Sequence, residues 1–181
     1  MAGPATDSRL RDRLFADPGT RVYAILDGAS VPNLPKALWK MKPEHVCLVK
    51  GELTPEEAAV APYLVALPPD APITTWILEA GWGKHWGVFA VAGAATDLRA
   101  ARDHFRRFLE VRLPDGTIAN FRYYDPRVLT VYLPTCNAKE LDYVFGPIEG
   151  FVAEDAEPRV AIEFRRNGGE VRTDRFDIGE V

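Results

Sequence analysis

Cysteine, histidine and long apolar runs are what this chain of 181 residues has little of. Its two cysteines, Cys47 and Cys136, stand far apart, and no CxxC pair or Cys/His cluster exists. Neither a zinc site nor a disulfide framework is therefore written in the sequence, and two free buried thiols are expected. The three histidines, His45, His85 and His104, are scattered singly without metal-ligand spacing. No apolar run approaches the roughly 20 residues of a membrane span. The stretch MAGPATDSRLRDRLF carries charges throughout and has no apolar segment of the kind a secretory signal needs. Basic excess is missing too: 22 Lys and Arg against 26 Asp and Glu give a net charge of −4, which argues against nucleic acid as the partner of the whole chain. There is no GxSxG elbow, no P-loop and no HExxH. The expectation is a cytoplasmic protein with no catalytic residue, no metal and no cofactor, bound to neither nucleic acid nor membrane.

What is present is an ordinary globular composition. Hydrophobic residues make up 47% and charged residues 27%, and at this length roughly 70% of the unfolded surface can be buried, so the core needs no covalent staple. Residues 1–20 are polar, with Leu10, Leu14 and Phe15 on one face of a short helix. Val22–Leu26 reads as a buried strand ended by Asp27-Gly28. A short helix after Asn33 holds Leu34, Leu38 and Trp39, and Val46–Val49 is a second strand. Thr54-Pro55-Glu56-Glu57 is a capping box with proline at the first helical position. Tyr63–Leu67 is a strand. Eight of the 15 prolines lie between Pro32 and Pro72, which predicts short elements and rigid turns in this half.

Further on, Thr74–Ala80 reads as a helix with Gly81 beyond its end, and Trp86–Val91 as a strand. Thr96 caps the longest predicted helix, about Asp97–Glu110, whose stripe is Leu98, Ala101, Phe105, Phe108 and Leu109, and whose last part either stays helical or already bends into a strand ending at Leu113. Pro114-Asp115-Gly116 turns a hairpin whose return strand is Thr117–Tyr123. Asp125 caps a helix with Pro126 at its first position, and Pro134 ends it. Asn137–Glu140 is a second capping box, opening a helix that stops at Gly146-Pro147. Val160–Phe164 and Val171–Phe176 flank Asn167-Gly168-Gly169, a hairpin signal. Strands alternating with helices from Val22 to Leu113 predict an α/β fold: a mixed β-sheet with short flanking helices, edged by the Asp115 hairpin, plus a C-terminal β-hairpin that either joins the sheet or forms a second lobe. The alternative class is α+β. The organisation read is a polar segment 1–20, an α/β domain 21–147 and a β-hairpin appendage 148–181.

Three groups of residues are candidates for recognition. In Phe121–Arg127, strand alternation would set Arg122 and Tyr124 on one face, with Asp125 capping the next helix. There Arg122 or Arg127 either pairs with an acidic neighbour and fixes the corner, or is presented with Tyr124 to a protein ligand. Arg99, Arg102 and Arg106 follow steps of three and four residues and share a helix face. That face is solvated, pairing with Asp103 and Glu110, or grips an acidic protein partner, or contacts nucleic acid. The aromatic segment Trp82–Trp86 either packs the core or forms an exposed patch, since Trp, Tyr and Arg dominate binding hot spots. The carboxylates Asp27 and Asp125 leave a small α/β enzyme as an alternative, which requires a deep pocket around them. The edge of the C-terminal hairpin could also add a strand from a partner.

The order of the motifs carries more than any one of them. Tyr23–Ala29 comes first, then Leu53 with Ala61–Val65, then Gly81-Trp82-Gly83 with Trp86-Gly87. An arginine-rich helix leads to Pro114-Asp115-Gly116 and to Phe121-Arg122-Tyr123-Tyr124-Asp125-Pro126-Arg127-Val128-Leu129. Leu133-Pro134 and Phe145-Gly146-Pro147 close the series. Over about Tyr23–Pro147 the chain resembles the adaptor and effector-chaperone family of bacterial type VI secretion (Tap or TEC type), long catalogued as a domain of unknown function. The resemblance implies a non-enzymatic cytoplasmic protein that binds a cognate toxic effector and helps load it onto the spike protein VgrG. Many members carry a longer, largely helical C-terminal lobe, where this chain has only the β-rich 148–181. An immunity-type protein that blocks a toxin is the remaining alternative.

Overall fold

The apolar run Val22–Leu26 lacks polar alternation because both of its faces are covered. In the computed structural model, which describes residues 4–179 (side chains from residue 9), the run forms the middle of strand β1 (Thr20–Asp27). Residues 1–3 of the expected N-terminal segment lie outside the described residues. Val22, Ala24 and Leu26 enter one core with Leu10 and Leu14 of α1 (Pro4–Leu14), Leu34 and Leu38 of α2 (Leu34–Met41), and Ile73 and Ile77 of α4 (Pro72–Gly81). Tyr23 and Ile25 enter a second core. It holds Ala101 and Phe105 of α5 (Leu98–Phe105), Leu129 of α6 (Pro126–Tyr132), and Leu141, Val144 and Phe145 of α7 (Ala138–Phe145). The two-residue period of the strand thus feeds two helical layers at once.

Seven strands make the sheet, in the order β2 (His45–Cys47), β3 (Pro62–Ala66), β1, β4 (Gly87–Gly93), β7 (Ile148–Glu154), β8 (Val160–Asn167) and β9 (Glu170–Asp177). The α/β expectation, with short flanking helices and a C-terminal β-hairpin, is met. The direction of pairing differs from a mixed sheet: each ladder is antiparallel. The C-terminal hairpin joins the sheet through β7, which pairs with β4, with a register shift at Val91/Ala92. The hairpin around Asp115 does not edge that sheet. Its strands β5 (Glu110–Arg112) and β6 (Ile118–Asn120) pair only with each other. The chain enters it from α5 and leaves it into α6, so the hairpin is carried by a helical layer rather than by the sheet.

Local chemistry explains most element ends. Thr54 accepts from Glu57 N–H while the Glu57 carboxylate accepts from Thr54 N–H, opening α3 (Pro55–Val60). Asn137 and Glu140 do the same for α7. Replacing Asn137 with Ala is expected to cost about 1 kcal/mol, read as a shift of the denaturation midpoint at unchanged slope. Three expectations are corrected. Asp97, not Thr96, caps α5, accepting from Ala100 N–H at 2.7 Å; the Thr96 carbonyl instead accepts from the buried Tyr23 hydroxyl. That helix ends at Phe105 and continues as a 3₁₀ turn, Arg106–Phe108, short of Glu110, where the expected bend into a strand is found as Glu110–Arg112. Gly81 lies inside α4. Trp39 lies in α2 with Leu34 and Leu38, as read, but outside the core, 76% exposed.

Candidate functional site

Arg122, Tyr123, Tyr124, Asp125 and Arg127, with the distant Asp27, build the corner between β6 and α6. Strand pairing stops at Asn120, so the expected face-sharing of Arg122 with Tyr124 is replaced by a turn. Tyr123 is buried and donates its hydroxyl to the Phe105 carbonyl. Tyr124 is buried beside it, edge-on at 5.5 Å between ring centres. Burial, then the negative charge of Asp27, pushes the Tyr124 phenol up from its ordinary value.

Asp125 is 5% exposed and caps α6, accepting from Arg127 N–H at 3.0 Å. Its two oxygens also take the Arg127 guanidinium in a fork, from Nε at 2.9 Å and Nη2 at 2.7 Å. Burial alone would raise this carboxyl, but the Arg127 hydrogen bonds outweigh it and hold it below its ordinary value. The expected acidic neighbour of Arg122 proves to be Asp27, at the end of β1 and 95 positions away. Asp27 is 1% exposed, and it also accepts from Ala29 N–H at 3.1 Å and from the Ser30 hydroxyl at 2.9 Å. Arg122 keeps 45% of its side chain exposed and Arg127 62%. Two guanidiniums thus stand at the surface, each fixed by a buried carboxylate. Arg122→Ala leaves the Asp27 charge buried without its cation. Breaking a buried pair costs 3–5 kcal/mol, and the exposure of Arg122 brings this to about 2 kcal/mol in a denaturant titration.

Sequence reading missed a second pair at the same end of the sheet. Glu154 ends β7, is 7% exposed, and accepts from His85 N–H at 3.1 Å. Its carboxyl is pushed up to about 7, chiefly by burial, against the backbone N–H groups of His85 and Gly83; Asp125 raises it further and Arg127 lowers it. His85 sits at positive φ (55°), and its buried Nδ1 lies 2.9 Å from the Glu154 carboxylate without a well-aligned hydrogen bond. The available signal was an acid closing the apolar run Phe151-Val152-Ala153.

The other candidates separate. Arg102 pairs with Asp103 at 2.7 Å, and Arg99 is exposed. Arg106 leaves their face, because its guanidinium reaches back to the carbonyls of Cys47 at 2.8 Å and Leu48 at 3.0 Å. Trp82 and Trp86 are 4% and 6% exposed. Trp82 stacks on Phe89 and donates to the Pro158 carbonyl, and Trp86 packs on Trp76 at 4.7 Å. Of the two readings of that segment, core packing holds and the exposed patch does not. Neither Asp27 nor Asp125 lines the groove of about 620 Å³ that Tyr124 borders. Both cysteines are free and half-buried, and burial raises both thiols. Among the described residues no cluster of His, Cys, Asp and Glu suits a metal ion, and no helix is long and apolar enough to cross a membrane.

A family described as a domain of unknown function, DUF4123, matches residues 22–143, about two-thirds of the chain. That span takes in the corner and α5 but stops before β7. No curated protein and no solved structure matches significantly.

Proposed function

We propose, from the premise that this chain belongs to the DUF4123 family, that it is a non-enzymatic cytoplasmic chaperone and adaptor for type VI secretion. It binds a cognate effector through that effector's N-terminal region and helps load it onto the VgrG spike. The motif series that resembles the adaptors lies within the matched span up to Leu133-Pro134, and includes the corner.

The observation that carries the reading is the construction of that corner. Asp27 and Asp125 are buried, and their oxygens are already engaged by caps and guanidiniums. They hold donors in place rather than standing ready to move a proton. Arg122 and Arg127 consequently reach the surface in a fixed geometry, so less side-chain freedom is lost when a partner binds. Arginine is among the residues that dominate protein hot spots, and here two stand pre-organised at the surface.

The test is co-purification. A tagged copy expressed in its own host is expected to retain an effector and VgrG, and the Arg122→Ala/Arg127→Ala variant to lose most of the effector. Capture of neither protein by the unaltered chain would end this reading. Truncated effectors separate it from toxin neutralisation: an adaptor holds the N-terminal fragment, an immunity-type protein the catalytic one.

A further inference from the structure

The groove bordered by Tyr124 has a chemistry of its own. One wall is the chain after β2, with Val49, Lys50 and Leu53, together with Val60 of α3. The other is the 3₁₀ turn with Arg106 and Arg107, followed by Leu109 and Glu110 and faced by Asn120 at the base of the β5–β6 hairpin. Val49, Leu53, Leu109 and the Tyr124 ring give it an apolar lining.

Its charges do not balance. Arg106 lies on backbone carbonyls. Arg107 donates to His104 Nδ1 at 2.6 Å and lies over the Tyr143 ring. Lys50 is exposed. Among the described residues none of the three forms an ion pair, whereas the Glu57 carboxylate is occupied by its capping box. Glu110, exposed on the rim, is the remaining acid of the lining.

We propose that this groove docks a short acidic, apolar segment of a partner protein. Apolar side chains would fill the lining, and carboxylates would meet Lys50, Arg106 and Arg107. A peptide fits better than a small amphiphile because Val60, 56% exposed, extends the apolar surface onto the rim. An apolar centre with a polar rim of Lys50, Glu110 and Asn120 is the anatomy of a protein contact. The identity of the partner as an effector or spike rests on the adaptor reading; the chemistry of the groove does not.

The experiment uses the whole chain and two fluorescein-labelled amphipathic peptides of one pattern, leucine with glutamate and leucine with lysine. Fluorescence anisotropy is expected to show the glutamate peptide binding at least about tenfold more tightly. The double variant Lys50→Glu/Val60→Asp alters two exposed positions; its circular dichroism should be unchanged and its affinity for the glutamate peptide about tenfold lower. Equal binding of the two peptides, no binding of either, or an undiminished double variant overturns the proposal. So does saturable binding of dodecanoate with no peptide binding, which assigns the groove to small amphiphiles. If the double variant binds the peptide normally yet the unaltered chain captures an effector, the groove assignment fails and the adaptor reading survives. If the peptide result holds and nothing is captured in the host, the reverse is true.

Discussion

Adding one methyl group at Gly87 is expected to stop the chain from folding. Gly87 opens β4 opposite Leu26, where β1 and β4 run side by side between the two cores. A Cβ there would lie far inside van der Waals contact with the Ile25 carbonyl oxygen, close also to the Leu26 backbone. Neither atom is the end of a flexible side chain. Relief requires moving β1, which is buried over its last six residues. Overpacking of a core costs about 1–3 kcal/mol where side chains can yield. Here the backbone of the central strand would have to move, and a loss above about 3 kcal/mol is a large part of a typical total of 5–15 kcal/mol. Gly87→Ala should therefore be found in the insoluble fraction, or should lack a cooperative melting transition. Gly168→Ala is the matched control: its φ is +61° and its Cβ would meet nothing within 4 Å, so only the conformational cost of about 1 kcal/mol remains. If Gly87→Ala melts with the unaltered chain, the packing argument fails.

Stability should also carry a pH signature traceable to Glu154. Its carboxyl titrates at about 7 in the fold against an ordinary 4.5. A raised value means that the folded state holds the proton more tightly than the unfolded state. The favourable contribution is therefore complete below about 4.5 and disappears as pH rises through about 7. Over the whole window this amounts to roughly 3 kcal/mol. The groups facing it are His85, Asp125 and Arg127, together with the Gly83 and His85 amides. His104 works in the opposite sense. Burial, with Arg107 adding to it, lowers this imidazole from 6.5 to about 4 against its hydrogen bond to the Val144 carbonyl. Its contribution is present above about 6.5 and is lost as pH falls through about 4. The two offset each other between these values, and the unaltered chain should show a shallow profile. Glu154→Gln should be close to the unaltered chain near about pH 5 and more stable than it by roughly 3 kcal/mol near about pH 8, by urea titration at each pH. A difference that does not change with pH would show that the carboxyl titrates normally.

How much of this was legible in the sequence depended on the range of the forces involved. The ends of α3, α6 and α7 were readable because Thr54, Asp125 and Asn137 bond to amides two or three positions away. The turn of β8 and β9 was readable because Gly168 at positive φ is written in the chain itself. The end of α5 was not, because the carbonyl of Phe105 is claimed by Tyr123 and the guanidinium of Arg106 by β2 and the residue after it. The same holds at the corner. A carboxylate partner for Arg127 was expected close by and is found at Asp125. Arg122 reaches Asp125 as well, at 4.0 Å, but the carboxylate it hydrogen-bonds lies 95 positions away, and no local pattern points to that one. Strand direction and the isolation of β5 and β6 are likewise decided by which layers the connections cross.

The sheet order sets a schedule for synthesis. One edge of β4 pairs with β1, made long before it, but its other edge is covered by β7, whose ladder with β4 begins at Ile148. Some fifty residues separate them, which at 5–20 residues per second is a delay of roughly 3–10 seconds. Through that interval Phe89 and Val91 border an open edge, and Trp82 has not yet met the Pro158 carbonyl. A chain interrupted after residue 143, where the family match ends, would keep that edge open. An unpaired apolar edge is a template for self-association, so the last three strands act as the seal that makes the matched span usable.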